Sequence, residues 1–465
     1  MYGFEDYLSP FTWRYGSSRM RRLWSETHKR RLWRQIWIAL AEVQAGYGLV
    51  RADQLEDLRA HRDLVDVERA LEIESMIHHD LMAELKTYAE QCPSGGGILH
   101  LGATSADIED NADAIRQRQS LDILLEGLRN LLLSMANQID RWADTPLMGY
   151  THLQPAEPTT LGYRLAVYAQ DLWMDWEDIS RARRLLRGKG FKGAVGSAAS
   201  YAELLGEDQL EEFEARLAAS LGISFFPVTT QVYSRKQEFQ ILCALAGLGG
   251  SLYKFAFDLR LLQAPGFGEM AEPFESQQVG SSAMPFKRNP VNAEKIDSLA
   301  RALAQLPRLG WDNAAHSLLE RTLDDSANRR FALPEAFLIT DELLITAQQL
   351  IDGLVVNEAV TRGNLARYGP FAGTERVLMG LAKAGADRQE MHERLRQLAS
   401  AAWEVVQGGD QNPLADAVRR DPVFLQYLEE SELNDLLDST RHLGNAPRRA
   451  RGLAESIRKK IKVSP

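Results

Sequence analysis

Residues 106–145 run without a proline and set Leu121, Leu124, Leu125, Leu128, Leu132, Met135, Ile139 and Trp142 at helical spacing. At a rise of about 1.5 Å per residue, that stretch is one helix of roughly 55 Å. Its apolar stripe stays in water unless partners of similar length cover it, and the rest of the chain supplies them. Trp33, Ile36, Trp37, Leu40, Val43 and Tyr47 form a second stripe, ended by Gly46 and Gly48, where glycine releases the chain from helical geometry. Leu161, Leu165, Tyr168, Leu172, Trp176 and Ile179 keep the same period after Pro158, and residues 235–262, 290–306 and 328–354 repeat it. Almost no long segment alternates like a strand. The expected fold is therefore all-α, in three helical domains: residues 1–104, a central bundle of about five long helices over 105–356, and residues 357–465. Helices apolar on more than one side also imply that the bundle packs into the core of an oligomer.

A formal net charge of −10 and a pI near 5.6 argue against a general nucleic-acid binder, whose phosphate contacts demand a basic surface. The basic runs RARRLLR and RRARGLAESIRKKIK interleave charge with leucine, isoleucine and alanine, which reads as solvated helix face. The start, MYGFEDYLSPFTW, lacks a basic segment followed by an apolar run, and no stretch approaches the ~20 uninterrupted apolar residues of a membrane span. No membrane partner and a cytoplasmic location are expected. Cys92 and Cys243, far apart, match neither a disulfide framework nor a Cys/His metal spacing.

Two glycine-bearing stretches need a decision. Residues 264–285, APGFGEMAEPFESQQVGSSAMP, lack periodicity and carry three prolines, so an extended loop is expected, of the kind that closes over a substrate. Gly188, Gly190 and Gly193 spell GxGxxG, but a charged amphipathic helix precedes them and a small-residue run follows. A dinucleotide fingerprint needs a buried strand before it and a helix after it. The expectation is a tight turn between helices.

Four histidines fall in compact polar motifs: His78 and His79 in IHHD, His100 in HLGATSADIED and His152 in GYTHLQPAEPTT. Taken singly, each is more often a structural residue than a functional one. No HxxxH or HxH pair puts two imidazoles on one face, so no metal site is expected. The sharpest motif is GSSAMPFKRNPVNAE. Ser281, Ser282, Met284, Pro285, Lys287, Asn289 and Glu294 fit every place of the signature of the fumarase/aspartase superfamily, which the chain resembles. Within it the resemblance is to the adenylosuccinate lyase family, through SPFTWRYGS, HHDLMAEL, HLGATSADIEDN, GYTHLQPAEPTT, TTQVYSRK and ERTLDDSANRRFALPEAF. The last motif discriminates, because fumarase and aspartase act on small dicarboxylates without a nucleotide phosphate.

That resemblance implies a lyase that breaks a C–N bond by β-elimination of fumarate, from adenylosuccinate and from the succinyl-carboxamide ribonucleotide of purine synthesis, without metal or redox cofactor. It implies Ser281 as the base, with Lys287 and loop N–H groups stabilising its alkoxide, and His152 as the acid that protonates the leaving nitrogen, with Glu294 orienting the imidazole. It implies Arg321, Ser326 and Arg330 on the phosphate and ribose side, His78, His79 and Asp80 along the nucleotide, and Arg14 and Lys295 as further cations. Tyr15, Thr104, Ser105, Thr151, Gln231 and Asn289 would supply neutral hydrogen bonds. Without the resemblance the arginines would read as surface ion pairs. Lys295 stands where some relatives carry arginine, and lysine makes no bidentate contact, which leaves the preference between the two substrates open. The family's homotetramers, with active sites shared between subunits, suit motifs this dispersed. The rival readings are argininosuccinate lyase, a carboxymuconate cycloisomerase, and a non-catalytic helical scaffold, which should have lost Ser281, His152 or Lys287.

Overall fold

The computed structural model of the chain describes residues 3–463, so the outermost two residues at each end of the expected terminal domains lie outside it. Helix accounts for 67% of the structure, and the all-α expectation holds. The helix Glu26–Ala45 starts where Ser25 Oγ accepts from the His28 N–H at 3.2 Å and stops at Gly46. The long helix is Ser105–Arg141. Leu121, Leu124, Leu128, Leu132, Met135 and Ile139, on its inner face, are all at most 1% exposed. Leu161–Leu185, Lys236–Gln263, Val291–Leu303 and Ser326–Asp352 complete the predicted set, each within a few residues of its expected bounds.

The described chain forms two compact units, each assembled from three stretches: Met1–Leu128, Asp175–Gly250 and Leu299–Ile345 in the first, Arg129–Met174, Ser251–Ser298 and Thr346–Pro465 in the second. This grouping cuts across the sequence-order segments 1–104, 105–356 and 357–465, because the longest helices contribute to both units. The second unit has a core of its own around Val377, Leu381, Leu395, Leu414, Phe424 and Leu433. Lys236–Gln263 has the length and mean hydropathy, 1.2, of a membrane span. Leu242, Leu245, Leu248, Leu252, Phe255 and Leu259 are nevertheless buried along it at helical spacing, the pattern of an interior helix.

Three local features differ from expectation. Pro146–Thr151 and Gln154–Thr160 form an antiparallel hairpin. Its second strand carries Pro155 and Pro158, which remove ladder donors and make the segment read as loop. Within 264–285, Met270–Ala271 pairs with Val355–Val356, so the loop contains a short strand. The GxGxxG segment is not a tight turn: residues 186–198 connect two helices as a long link, buried over residues 188–193. A buried charge shapes that link. Asp107, fully buried, accepts from the Lys189 ammonium and from the N–H groups of Lys192 and Gly193, and burial without these partners would cost several kcal/mol.

Candidate active site

A cavity of about 630 Å³ opens in the first unit. Three helices present their first turns to it: Asp80–Gln91 with His79 as its cap, Ser105–Arg141 after Thr104, and Ser326–Asp352. The orphan N–H groups and partial positive charge of a helix start favour an anion, and here three starts converge. Asp107 Oδ2 reaches back to the Thr104 N–H at 3.0 Å, a capping-box contact that fixes where the long helix begins. His79 Nδ1 accepts from the Met82 N–H at 3.4 Å, which leaves Nε2 to carry the proton toward Ser105 Oγ, also 3.4 Å away.

The wall behind these helix starts is a network of ion pairs. Arg330 donates to Asp80 Oδ2 at 2.7 Å and Arg321 to Asp325 Oδ1 at 2.8 Å. Arg235 bridges Asp110 at 3.1 Å and Asp325 at 2.7 Å, while Arg329 spans Asp113 at 3.0 Å and Glu238. Burial acts to raise the Asp113 carboxyl, yet Arg116 and Arg329 hold it at about 2. Burial acts likewise on Asp80, and Arg330 keeps that carboxyl below its ordinary range. Glu109 goes the other way: burial and then the negative charges of Asp80, Asp110 and Asp113 push it up to about 8.

Of the residues singled out from the sequence, His78, His79, Asp80, Thr104, Ser105, Gln231, Arg321, Ser326 and Arg330 line this one cavity. Arg14 and Tyr15 belong to the same unit but do not line it; the Arg14 guanidinium lies 5.6 Å from the Trp13 ring centre and 5.9 Å from that of Tyr15. The cavity's Glu109, Asp110, Asp113, Arg116, Arg235 and Arg329 escaped the sequence reading. A signal existed: Ser105, Glu109, Asp113 and Arg116 repeat at helical spacing and form a polar stripe on an otherwise apolar helix.

The remaining residues lie in the second unit, in two exposed pieces. Thr151 and His152 stand at the hairpin tip, where His152 (φ 54°) and Leu153 (φ 58°) are both left-handed. A two-residue turn of this kind normally takes Asn-Gly, so a histidine here carries strain of about 1–2 kcal/mol, and such strain persists mostly where function requires it. The second piece is the loop before Val291–Leu303. Asn289 Nδ2 donates to the Gly280 carbonyl at 2.8 Å, closing the loop into a ring. Any Cβ at Gly280 would fall 2.2 Å from the Lys287 carbonyl, so only glycine permits that closure. Inside the ring, Ser281 Oγ accepts from the Met284 N–H at 3.0 Å and the Ala283 N–H at 3.3 Å. Lys287 and Glu294 are exposed and Lys295 is half-buried; Glu294 lies 3.8 Å from Arg260 Nη2. Among the described residues no hydrogen bond joins His152 to Glu294.

One grouping brings metal-ligand atoms together, which spacing alone did not reveal: Asp57, His61 and Cys92, within 4.8 Å of one another and outside the cavity. Their atoms are engaged already. Asp57 Oδ2 accepts from the Ser94 and Gly95 N–H groups at 2.8 Å, His61 Nδ1 meets the Asp57 carbonyl at 2.9 Å, and burial, then Asp57, push the Cys92 thiol up to about 12.

The chain matches the family model described as Lyase over residues 19–303 and the one described as Adenylosuccinate lyase C-terminus over 370–451. It is 39% identical to the adenylosuccinate lyase of Saccharomyces cerevisiae, covering 96% of this chain and 93% of that one. It is 35% identical to that of Pyrococcus abyssi, covering 92% and 93%. Among solved structures it resembles a fumarate lyase from Mesorhizobium sp. BNC1, with a TM-score of 0.83 and 25% identity over 97% of this chain and 99% of that one. It also resembles the 3-carboxy-cis,cis-muconate lactonizing enzyme from Pseudomonas putida, with a TM-score of 0.84 and 26% identity over 96% and 99%. The histidine motifs, the serine loop and the arginines of the cavity thus stand on a chain that belongs to the adenylosuccinate lyase family, within the fumarase/aspartase superfamily.

Proposed function

We propose that this protein removes fumarate from adenylosuccinate to leave AMP, and from succinyl-aminoimidazole-carboxamide ribonucleotide by the same β-elimination, in purine biosynthesis. One observation carries the reading: Arg321, Ser326 and Arg330, matched to the phosphate side of the substrate, line the cavity at which three helices begin. A nucleoside monophosphate presents a dianion, which backbone N–H groups and guanidinium donors bind well. Two carboxylates add further charge, for which Arg14, Lys287 and Lys295 are the proposed cations. Tyr15, Thr104, Ser105, Thr151, Gln231 and Asn289 are the proposed neutral partners, and His78, His79 and Asp80 take the nucleotide side.

In the proposed chemistry Ser281 removes the proton on the succinyl carbon beside a carboxylate, and that electron pair passes into an aci-carboxylate. The C–N bond then breaks as the pair forms the double bond of fumarate, and His152 donates a proton to the departing nitrogen. The two N–H groups already on Ser281 Oγ favour the alkoxide over the alcohol. Lys287 and Asn289 meet charge that develops only in the transition state. Proton transfer supplies the whole mechanism, which calls for no metal or redox cofactor.

Glu294 orients His152 in this scheme, and the pair is proposed to form between chains of a homotetramer whose sites are shared. The segments 1–104, 105–356 and 357–465 are proposed as its N-terminal, bundle and C-terminal domains, and the cytoplasm as its location. The test is an ultraviolet assay of adenylosuccinate with argininosuccinate alongside. Fumarate from the first alone is expected; fumarate from argininosuccinate, or from neither, overturns the reading.

A further inference from the structure

Five of the six carboxylates on the cavity wall are paired with a cation: Glu26 with Lys29 at 2.7 Å, Glu74 with Arg30 at 3.7 Å, Asp80 with Arg330 at 2.7 Å, Asp110 with Arg235 at 3.1 Å and Asp113 with Arg329 at 3.0 Å. The sixth is Glu109. Among the described residues its half-buried carboxyl makes no ion pair and no hydrogen bond. It sits one helical turn after Ser105, on the face that opens to the cavity.

An ionised carboxylate there would be badly placed. Asp110 and Asp113 lie on its own helix with Arg116. The helix from Asp80 brings Asp80, with His78 and His79 before it. The helix from Ser326 brings Arg329 and Arg330, and the Glu26–Ala45 helix brings Glu26 and Lys29, with Arg235 and Arg321 completing the wall. The nearby cations are committed to other acids, so burial and like charge dominate, and the group is held up to about 8. At neutral pH Glu109 is therefore mostly a carboxylic acid, an O–H donor facing the cavity without an acceptor.

Resting on the nucleotide reading above, we propose that Glu109 is a specificity residue that binds the ligand as a neutral acid, donating its O–H to an oxygen of the phosphate that Arg330 pairs with. The phosphate takes the Arg330 guanidinium from Asp80, and Asp80 then adds uncompensated charge beside Glu109. That charge tightens the hold on the Glu109 proton. Phosphate binding and a proton on Glu109 become mutually dependent: where Glu109 is ionised in the empty site, one proton passes from solvent to its carboxylate as the phosphate enters. An amide in its place would donate the same hydrogen bond at every pH.

The experiment measures KM for adenylosuccinate from pH 7 to 9.5, where the phosphate is already a dianion, in wild type, Glu109→Gln and Arg330→Ala. It adds calorimetry of AMP binding at pH 9 in two buffers of different ionisation heat. Wild-type KM should climb by about tenfold per pH unit above pH 8 with about one proton taken up. Glu109→Gln should show a flat KM, lower than wild type at the alkaline end, and no uptake attributable to this site. An equal pH slope and equal uptake in both proteins overturn the role of Glu109, as does a Gln variant with raised KM throughout, which would mean the ligand needs the carboxylate. Arg330→Ala separates the layers: if its KM is unchanged, the phosphate reading fails; if its KM rises while Gln follows wild type, only the Glu109 proposal fails.

Discussion

The cavity of the first unit and the hairpin and serine loop of the second hold their polar groups in opposite ways. In the cavity nearly every charge is paired: Arg235 is 4% exposed, and Asp110, 2% exposed, shares it with Asp325. Three helix starts border that network. In the second unit the groups that would move protons are left open. His152 stands exposed on a strained turn and Lys287 on a loop, while only Ser281 is provided with donors. A phosphate needs a fixed cradle of donors. A base and an acid must stay harmless in water until substrate and neighbouring groups arrive, which exposure on a loop achieves. On the proposed function the phosphate cradle falls in one region and the proton-transfer groups in the other, and each assignment can be broken separately.

The largest effect is expected in the reacting region. Ser281→Ala and His152→Ala should each lower kcat by ~10² to 10⁴-fold, toward the upper end for so weak a carbon acid, with nucleotide affinity little changed. In heavy water Ser281→Ala should also stop exchange of the succinyl carbon proton, whereas His152→Ala should allow it. Ser282→Ala is the control and should be milder; if it were dead and Ser281→Ala nearly wild type, the base would be the second serine. Smaller effects belong to the binding region. Arg330→Ala and Ser326→Ala each remove a contact worth ~1.5 to 3 kcal/mol, which should raise KM more than it lowers kcat. A kcat loss with unchanged KM would erase the distinction between the regions.

A separate effect is on stability. Folding lifts the Glu109 carboxyl from an ordinary 4.5 to about 8, so the folded state holds that proton more tightly than the unfolded chain. Stability from this group is complete below about 4.5 and drains away as pH rises to about 8. Glu109→Gln avoids that loss. Its Tm should exceed that of wild type by a margin that widens between those pH values and then levels off; a margin independent of pH would show that Glu109 is not held neutral.

The binding helices were legible because long buried stripes have a period that sequence displays directly, and Ser105–Arg141 was placed nearly to its ends. The hairpin bearing His152 was not, since Pro155 and Pro158 hide a strand that is set by register with Pro146–Thr151 rather than by its own pattern. The signature motif exposed Ser281 at once, but the Met284 and Ala283 N–H groups on its oxygen depend on loop backbone geometry. Glu109 was missed for another reason. Its character comes first from burial and then from Asp80, with Asp110 and Asp113 of its own helix, and both the burial and the approach of Asp80 arrive only on folding.

If binding and reaction regions complete one site between subunits, two different defects should rescue each other. Ser281→Ala, with a sound cavity, and Arg330→Glu, with a sound loop, would be co-expressed under separate tags and the mixed tetramers isolated. Random assortment then joins an intact cavity to an intact loop in roughly a quarter of sites, and fumarate release near that fraction of wild type is predicted. Mixed tetramers that form but release no more fumarate than either parent would contradict the shared site.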